Sequence, residues 1–348
     1  MFPNPAMSRR PSLAMVLAVE AMLLVVMAVF SLCVGPGDLS PATVSASIKS
    51  VLSGEGDALP PRMHELLWNL RAPRIVLAML VGAALAGAGA LMQGLFQNPL
   101  ACPFTTGVSS GAALGAIIAI SFHLNWSWGA LSGATPIAFL FGAGTVLLVY
   151  AVAWRPGGVS VYTLLLVGFA LSGMLSAISS FVMIVKSQDL QSVLFWLLGG
   201  FSARNWDHVF TLLPWLAVGI VLMMMYARPL NAILLGDESA GWIGVEVERT
   251  KRVLLFVAAM LASAAVAVSG VIGFAGIIVP HITRLIVGPD HRRLLPASLL
   301  GGAILLLASD TLIRLAFPIV AQEIPVGIVT SLLGVPFFLY LISRRTRP

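Results

Sequence analysis

Residues 74–95 read RIVLAMLVGAALAGAGALMQGL, and this stretch decides the class of fold. It holds no charged residue after Arg74. A helix needs about 20 mostly apolar residues to cross hydrocarbon that is about 30 Å thick. The stretch therefore predicts a transmembrane helix.

The composition of the whole chain agrees with that prediction. Of its 348 residues, 59% are hydrophobic and 10% are charged, and the mean hydropathy is +0.98. Soluble domains carry about 25% charged residues, because their surfaces face water. A chain with so few charges cannot cover itself with polar surface. A soluble globular fold is therefore excluded, and lipid is the main solvent.

Further apolar runs are spread along the chain and predict an all-α polytopic membrane protein with ten transmembrane helices. We expect a single transmembrane domain over residues 1–348, with the membrane-spanning region at 13–343. One run, 276–287, is too short to cross alone and is expected in a broken or tilted element. The ten runs are 13–34, 74–95, 107–122, 133–153, 162–185, 207–227, 251–271, 276–287, 294–315 and 325–343.

The first run is predicted to be a retained helix and not a signal peptide. It is longer than an h-region of about 7–15 residues, and no small-x-small cleavage site follows it. Glu20 inside the run would be costly in lipid, so we expect its side chain to face another helix.

The basic residues predict the orientation. An even number of spans puts both termini on one side, and the bias of lysine and arginine favours N-in, C-in. No basic stripe is interleaved with aromatic residues, so the net charge of +6 does not indicate nucleic-acid binding. The predicted inner segments hold Arg9, Arg10, Arg155, Arg228, Arg249, Lys251, Arg252, Arg292, Arg293, Arg344, Arg345 and Arg347. The predicted outer segments hold Lys49, Arg62, Arg71, Arg74, Lys186, Arg204 and Arg314.

Two segments between the spans are expected to be ordered. Residues 187–206 predict a short helix outside the main bundle. Residues 228–250 form the longest cytoplasmic connection, and a long connection in a compact protein usually has a function. Gly236, Ala240 and Gly244 recur there every four residues. They predict a small face on a helix-turn-helix, which another surface could approach closely.

Two segments of the chain share a spacing of glycine and proline that indicates an internal repeat. GALMQGLFQNP at 89–99 and GVIGFAGIIVP at 270–280 share a ten-residue spacing from glycine to proline. With the first copy running inward and the second outward, they predict an inverted internal repeat, an arrangement common in transporters.

The chain lacks the residues that ATP binding requires. A phosphate-binding loop ends in Gly-Lys-Ser/Thr, and none of Lys49, Lys186 and Lys251 follows a glycine. Transport driven by ATP would therefore need a separate ATPase chain. The sequence shows no catalytic constellation and no cofactor motif. Cys33 and Cys102 do not have the spacing of a metal site.

Four charged residues stand at the predicted outer ends of spans. Asp310 and Arg314 lie four apart on one helix face, which predicts a structural ion pair, with a functional role for Arg314 as the alternative. Arg71 and Arg74 begin the second span, where their side chains could snorkel to lipid headgroups. Because the positive-inside rule disfavours arginines at this end, we prefer a docking site for carboxylates of a soluble partner.

Three long segments resemble the iron-complex, haem and vitamin B12 permease family of ABC importers, of the FecCD type. They are LRAPRIVLAMLVGAALAGAGALMQGLFQNPLACPFTTGVSSGAALGA at 70–116, SGVIGFAGIIVPHITRLIVGPDHRRLLPASLLGGAILLLASDTLIR at 269–314 and EIPVGIVTSLLGVPFFLYLISRR at 323–345. The resemblance covers nearly everything after about residue 60. It implies a bacterial inner-membrane homodimer of ten-helix permeases with two cytoplasmic ATPase subunits and a periplasmic substrate-binding protein.

The resemblance also implies roles for particular residues. Arg71, Arg74 and Arg314 match the arginines through which family members dock the binding protein. The stretch LLGDESAGWIGVEVER at 234–249 resembles the family's coupling helices, which sit in a cleft of each ATPase. The implied mechanism is alternating access, driven by closure of the ATPases. The residues of this stretch that we assign to coupling are Gly236, Asp237, Glu238, Ala240 and Gly244.

The substrate and the driving force leave alternatives open. The sequence favours an iron complex, a ferric siderophore or haem, with cobalamin as the alternative. His281 could serve as a haem ligand, but a polar residue beside a proline turn is the favoured interpretation. An ion-coupled secondary transporter would need buried carboxylates, for which Glu20 and Asp310 are the candidates. A membrane-embedded enzyme would need a nucleophile or a metal cluster, and the sequence shows neither.

Overall fold

The structure is a computed structural model of a helical bundle. It describes residues 11–35, 41–53, 60–124, 133–155, 158–186, 190–320 and 323–345. Arg9, Arg10 and Arg347, which entered the charge count, and residues 187–189 of the predicted short helix lie outside these ranges.

Fifteen α-helices are found in the described residues. The ten that correspond to the predicted spans are α1 (Leu13–Cys33), α4 (Ala72–Leu95), α5 (Val108–Ser121), α6 (Ala134–Ala153), α7 (Val161–Val185), α9 (Trp206–Met225), α12 (Val247–Ser269), α13 (Ala275–Val287), α14 (His291–Val320) and α15 (Val326–Arg345). The shorter ones are α2 (Pro41–Leu52), α3 (Pro61–His64), α8 (Leu190–Leu198), α10 (Ala227–Ile233) and α11 (Asp237–Trp242). A π-helical stretch, Glu65–Arg71, joins α3 to α4, a 3-10 turn, Pro103–Thr106, precedes α5, and strands β1 (Trp154–Arg155) and β2 (Gly158–Val159) pair antiparallel between α6 and α7.

The polytopic fold is confirmed. Among the described residues, seven helical stretches are long and apolar enough to cross a membrane, and three shorter apolar helices accompany them. The short element α13 has 13 residues. At about 1.5 Å per residue it covers about 20 Å, so it reaches only part of the way across the hydrocarbon. Phe274, in a left-handed conformation with φ of 66°, separates α13 from the preceding non-helical residues. The expectation of a broken element at this position is confirmed.

Two helices form the centre of the bundle. Buried residues make up 78% of the apolar stretch that contains α4 and 83% of that in α12, against 11% in α7. Small side chains allow the close contact. A Cβ added to Gly82 would lie 2.1 Å from the carbonyl oxygen of Gly302 in α14, and one added to Gly302 would lie 2.2 Å from that of Gly82. The α4 and α14 backbones therefore touch at a point where only glycine fits.

The directions of three helices bear on the predicted repeat. Helix α14 runs antiparallel to α4, because Gly302 lies near Gly82 whereas His291 lies near Gly94. The described contacts of α13 with α4 lie in the first turn of α13, where Gln93 donates from Nε2 to the Gly276 and Ile277 oxygens at 3.5 and 3.2 Å. The 89–99 segment touches α13, since a Cβ on Gly89 would lie 1.9 Å from the Gly276 oxygen. This contact alone does not define the relative direction of the two segments, so the inverted repeat stays a prediction.

Glu20 faces another helix, as expected. A Cβ added to Gly301 of α14 would lie 3.8 Å from its Oε1 atom. The carboxylate therefore points from α1 into the helix contact and not into lipid.

The short helix α8 is part of the bundle, so the prediction that it lies outside was wrong. Trp196 is buried in one cluster with Val266 and Ala267 of α12. The turn after α8 packs against the end of α12, where a Cβ on Gly270 would lie 2.1 Å from the Trp196 oxygen. Only one side of α8 is buried in this way, at Val193 and Trp196, whereas its leucines and Phe195 remain more exposed.

The predicted small face in the cytoplasmic connection is also corrected. Helix α11 has six residues, and Gly236 and Gly244 flank it with φ of 110° and 86°. They are there because this backbone conformation disfavours side chains, not because they line a helix face. Ala240 is fully buried against Ile233 of α10. The four-residue spacing therefore reflects two turns and one core contact.

Candidate functional site

The predicted docking arginines meet at the outer end of the bundle. Arg74 in the first turn of α4 and Arg314 in α14 both reach the carboxylate of Asp310. The Arg74 Nε lies 3.0 Å from Asp310 Oδ1, and the Arg314 Nε lies 3.0 Å from Asp310 Oδ2. The Arg314 Nε and Asp310 Oδ2 lie at ion-pair distance, but the Nε–H group is not aligned for a hydrogen bond. Two guanidinium groups on different helices thus share one buried carboxylate.

Arg71 and Arg314 also hold the end of the first helix. Arg71 donates from Nη1 to the Leu32 oxygen at 2.6 Å and from Nη2 to the Gly35 oxygen at 3.1 Å. Arg314 donates from Nη1 to the oxygens of Ser31 and Val34, at 2.8 and 2.9 Å. The carbonyls at a helix C-terminus have no partners within the helix and carry negative partial charge. These two arginines therefore satisfy the end of α1.

The three arginines are far less accessible than the sequence suggested. The side chains of Arg71 and Arg314 are each 6% exposed, and that of Arg74 is 12% exposed. They line a cavity of about 300 Å³ in the described part of the chain. A partner would meet them inside a recess and not on an open surface.

Two further charged residues line this cavity, and no role in the site was predicted for them from the sequence. Glu323 lies in the linker before α15, and its Oε1 is 3.2 Å from the Arg74 Nη1. Arg204 lies in the linker before α9, and burial lowers its pKa. The only sequence signal was that each stands in a predicted outer segment, which does not separate them from the neighbouring charges.

The second candidate surface is the cytoplasmic connection. Leu235, Trp242 and Ile243 project into solvent around α11, and the Trp242 side chain is 83% exposed. Asp237 and Glu238 lie exposed beside them. An exposed tryptophan with aliphatic neighbours and a charged rim is typical of a protein-binding surface. The sequence prediction for this segment rested on the small residues Gly236, Ala240 and Gly244 and did not include these three apolar residues.

The cytoplasmic surface is tied firmly to the bundle. The Asn231 amide of α10 donates to Asp290 Oδ1 at 2.6 Å, and its oxygen accepts from the His291 N–H at 2.9 Å. Burial alone would raise the pKa of Asp290, but hydrogen bonds from the Arg292 N–H and the Asn231 amide, together with the Arg292 charge, hold that pKa below its usual value. The carboxylate therefore stays charged at neutral pH and holds α10 against the start of α14.

Two more contacts fix the same surface. Gln97, just after α4, donates from Nε2 to the Ile233 oxygen at 3.0 Å. Lys251 in α12 forms an ion pair with Asp237 at the start of α11. A displacement of α11 would therefore be passed to α4, α12 and α14.

The described residues do not contain a cluster of metal-ligating side chains. No group of three His, Cys, Asp or Glu side chains lies close enough there to hold a metal ion. The His281 ring packs edge-on against Phe337 of α15, with ring centroids 5.8 Å apart. This position agrees with a packing role between two helices.

A protein-family model, the FecCD transport family, matches residues 23–344. The chain is 44% identical over 287 residues to the cobalamin import system permease protein of Halobacterium salinarum, covering 82% of this chain and 76% of that protein. It is 42% identical over 287 residues to the hemin transport system permease protein of Yersinia pestis, covering 81% and 84%. It is 36% identical over 339 residues to the Fe(3+)-citrate import system permease protein of Bacillus subtilis, covering 97% of each.

The fold agrees with these matches. A solved structure of a metal-chelate type ABC transporter in an inward-facing conformation superposes with a TM-score of 0.82. The two sequences are 32% identical, and the match covers 95% of this chain and 99% of that one. The chain is therefore a multi-pass inner-membrane permease subunit of an ABC importer, and it belongs to the FecCD transport family.

Proposed function

We propose that this permease imports a metal chelate, first of all an iron complex such as a ferric siderophore or haem. The observation that carries the proposal is the set of similar permeases. One is named for hemin and one for Fe(3+)-citrate, and the solved structure belongs to a metal-chelate type transporter. We assign the two attachments that such an importer requires to the recess at the outer end and to the exposed surface at the inner end.

Energy for transport comes from a separate subunit in this family. We assign contact with that ATPase to α10 and α11. The exposed Leu235, Trp242 and Ile243 offer an apolar anchor, and Asp237 and Glu238 offer a charged rim. Burying such an anchor in a groove of the partner supplies most of the affinity in typical interfaces.

The assignment gives the predicted coupling residues revised roles. Gly236 and Gly244 set the two turns that orient α11, and Ala240 seats it on α10. Asp237 is engaged by Lys251, so it serves to fix α11 as well as to border the surface. Glu238 remains exposed and available to a partner.

Docking of a periplasmic binding protein is assigned to the outer recess. Arg71, Arg74 and Arg314 give it positive charge, and carboxylates of a partner complement such a site. Because these arginines also hold α1 and Asp310, we assign them a double role, in stability and in docking.

We assign the dimer contact to α7 and α15. Helix α7 leaves most of its surface uncovered, and small residues such as Gly173, Ser176 and Ser180 are exposed along it. Lipid favours large apolar side chains, whereas small and hydroxyl-bearing residues favour close contact with another helix or a water-filled path. A homodimer with one ATPase on each copy would cover this surface.

Cobalamin import is the alternative, and one observation favours it. The permease of Halobacterium salinarum, at 44% identity, is named for cobalamin. Cobalamin is also a metal chelate, so the same permease surfaces would serve it, with the choice of substrate made by the binding protein.

Reconstituted transport tests the proposal. The permease, its ATPase and its binding protein would be placed in liposomes and supplied with a radiolabelled ferric siderophore, labelled haem or radiocobalt cobalamin. We expect ATP-dependent uptake of one iron complex and none of cobalamin. Uptake of cobalamin alone would establish the alternative. Uptake that needs a proton gradient and no ATPase would instead indicate a secondary transporter.

A further inference from the structure

The outer cavity contains a carboxylate that a partner could replace. Arg74 is held by two acidic residues, from Nε by Asp310 at 3.0 Å and from Nη1 by Glu323 at 3.2 Å. The Asp310 side chain is fully buried, whereas that of Glu323 is 43% exposed. An exposed ion pair contributes little to stability, because water competes for both groups. Glu323 is therefore the exchangeable partner of Arg74.

A second guanidinium is placed to receive Glu323. Arg204 lines the 300 Å³ cavity with Glu323, and both residues also line an adjoining cavity of about 210 Å³. The Nη1 of Arg204 lies 3.1 Å from His208 Nε2, and its Nε is buried without a hydrogen-bond partner. Within the part of the chain that the structure describes, no carboxylate lies at ion-pair distance from Arg204. The Arg204 side chain is partly buried and has no counter-charge there, so a carboxylate is favoured at this position.

We propose that an acidic side chain of the periplasmic binding protein enters the cavity and replaces Glu323 on Arg74, and that the released Glu323 carboxylate pairs with Arg204. The exchange rests on the docking role given to the recess above. It leaves Arg74 paired throughout and gives Arg204 a counter-ion that it lacks before docking. Glu323 thus acts as an internal substitute for the partner's carboxylate.

The exchange would reach α15, one of the two helices assigned to the dimer contact. Glu323 lies three residues before Val326, where α15 begins. The Gly327 N–H donates to the Gly199 oxygen at 3.3 Å, and a Cβ on Gly327 would lie 2.1 Å from the Leu198 oxygen. Because the start of α15 is packed against the end of α8 without room for a side chain, a shift of Glu323 moves both elements together.

A double-mutant cycle tests the exchange. The assembled permease–ATPase complex would be placed in nanodiscs, and the Kd of the purified binding protein of this importer would be measured for the wild type, Glu323→Gln, Arg204→Gln and the double variant. Glu65→Gln is the matched control, since it removes one carboxylate from an outer residue that pairs with Asn69 and not with an arginine.

We expect Arg204→Gln to weaken binding by about 3- to 5-fold in the wild type, the range of an exposed ion pair, because the released Glu323 then finds no counter-charge. Glu323→Gln removes both the bond that docking breaks and the bond that it forms, so it should change the Kd by less than about 2-fold in the wild type. In the Arg204→Gln background it should tighten binding by about 3- to 5-fold, because only the bond to be broken is then lost. Glu65→Gln should change the Kd by less than about 2-fold. Co-purification with the ATPase shows that each variant is folded.

Three outcomes would overturn the exchange. They are an unchanged Kd for Arg204→Gln in the wild type, an equal effect of Arg204→Gln in both backgrounds, and a change of the Kd by Glu65→Gln as large as that by Arg204→Gln. Each of them would leave docking itself intact. If the wild-type complex does not bind the binding protein at all, the proposed docking fails, and the exchange fails with it.

Discussion

Two glycines of the cytoplasmic connection offer a sharp test of how α11 is set. A Cβ added to Gly241 or to Gly244 would have no atom within 4 Å, so alanine fits sterically at both positions. They differ in backbone conformation, since Gly244 has φ of 86° whereas Gly241 lies within α11. Alanine in the left-handed region costs about 1–2 kcal/mol. Alanine in a helix gains about 0.5–1 kcal/mol over glycine. The two substitutions should therefore differ by about 2 kcal/mol.

The strain at Gly244 acts on the orientation of α11. Its N–H donates to the Gly241 oxygen at 2.9 Å, and the Val245 N–H donates to the Ala240 oxygen at 3.0 Å, so this turn directs the chain into α12. We expect Gly244→Ala to shift the equilibrium away from this turn by about 10-fold or more, since 1.4 kcal/mol corresponds to a factor of ten. The movement of the ATPase would then be passed on incompletely.

The assay measures substrate taken up for each ATP hydrolysed by the reconstituted importer. We expect several-fold lower uptake per ATP for Gly244→Ala, with ATP hydrolysis retained, and an unchanged ratio for Gly241→Ala. Wild-type ratios of uptake to ATP hydrolysed in both variants would refute the role given to the positive φ of Gly244. Equally lowered ratios in both variants would refute it as well, because the added methyl group and not the backbone conformation would then be the cause.

Two further predictions concern the two ends of the bundle. A tryptophan side chain has about 200 Å² of surface, so the 83% exposure of Trp242 sets an upper limit of about 4 kcal/mol for the free energy of burying it. We expect Trp242→Ala to weaken ATPase binding by about 30-fold in a co-purification titration. Trp154→Ala, at the same end of the bundle, should leave ATPase binding unchanged. Asp310→Asn removes the buried carboxylate that Arg74 shares and should lower the free energy of unfolding by about 3 kcal/mol or more in detergent, measured by thermal unfolding. Glu323→Gln, which removes the exposed partner of the same arginine, should cost less than about 1 kcal/mol. A smaller effect at Asp310 than at Glu323, or equal losses at the two tryptophans, would contradict these assignments.

The spans could be predicted from the sequence because one property defines them. The thickness of the hydrocarbon sets the length of an apolar run, and every predicted run lies within a few residues of a helix, as 74–95 does of α4. The helices between the first two runs could not be predicted in this way. Residues 41–52 mix serines and a lysine with apolar side chains, and their helix α2 is held by contacts such as the hydrogen bond from Trp68 Nε1 to Ser47 Oγ, at 3.0 Å.

The candidate sites were predictable where residues are near in sequence. Asp310 and Arg314 are one helical turn apart, and their pairing follows from the helix period. The bond between Arg74 and Asp310 joins residues 236 positions apart, and only the packing of α4 on α14 brings them together. The same limit applies to Arg204 and Glu323, which stand in different linkers. The four-residue spacing of small residues near α11 was misleading, because glycine serves turns as readily as helix contacts.

Two closely packed helices, α4 and α14, join the two ends of the permease. Helix α4 begins at Arg74's turn and leads to Gln97, which holds α10. Helix α14 runs from His291, also bonded to α10, to Asp310 in the outer recess. Between these ends the two backbones touch at Gly82 and Gly302, where a side chain on either residue would clash. On the proposed coupling role, an ATPase that moves α10 and α11 would move α4 and α14 together. The change of access then falls to helices with little burial, above all α7, whose apolar stretch is 11% buried.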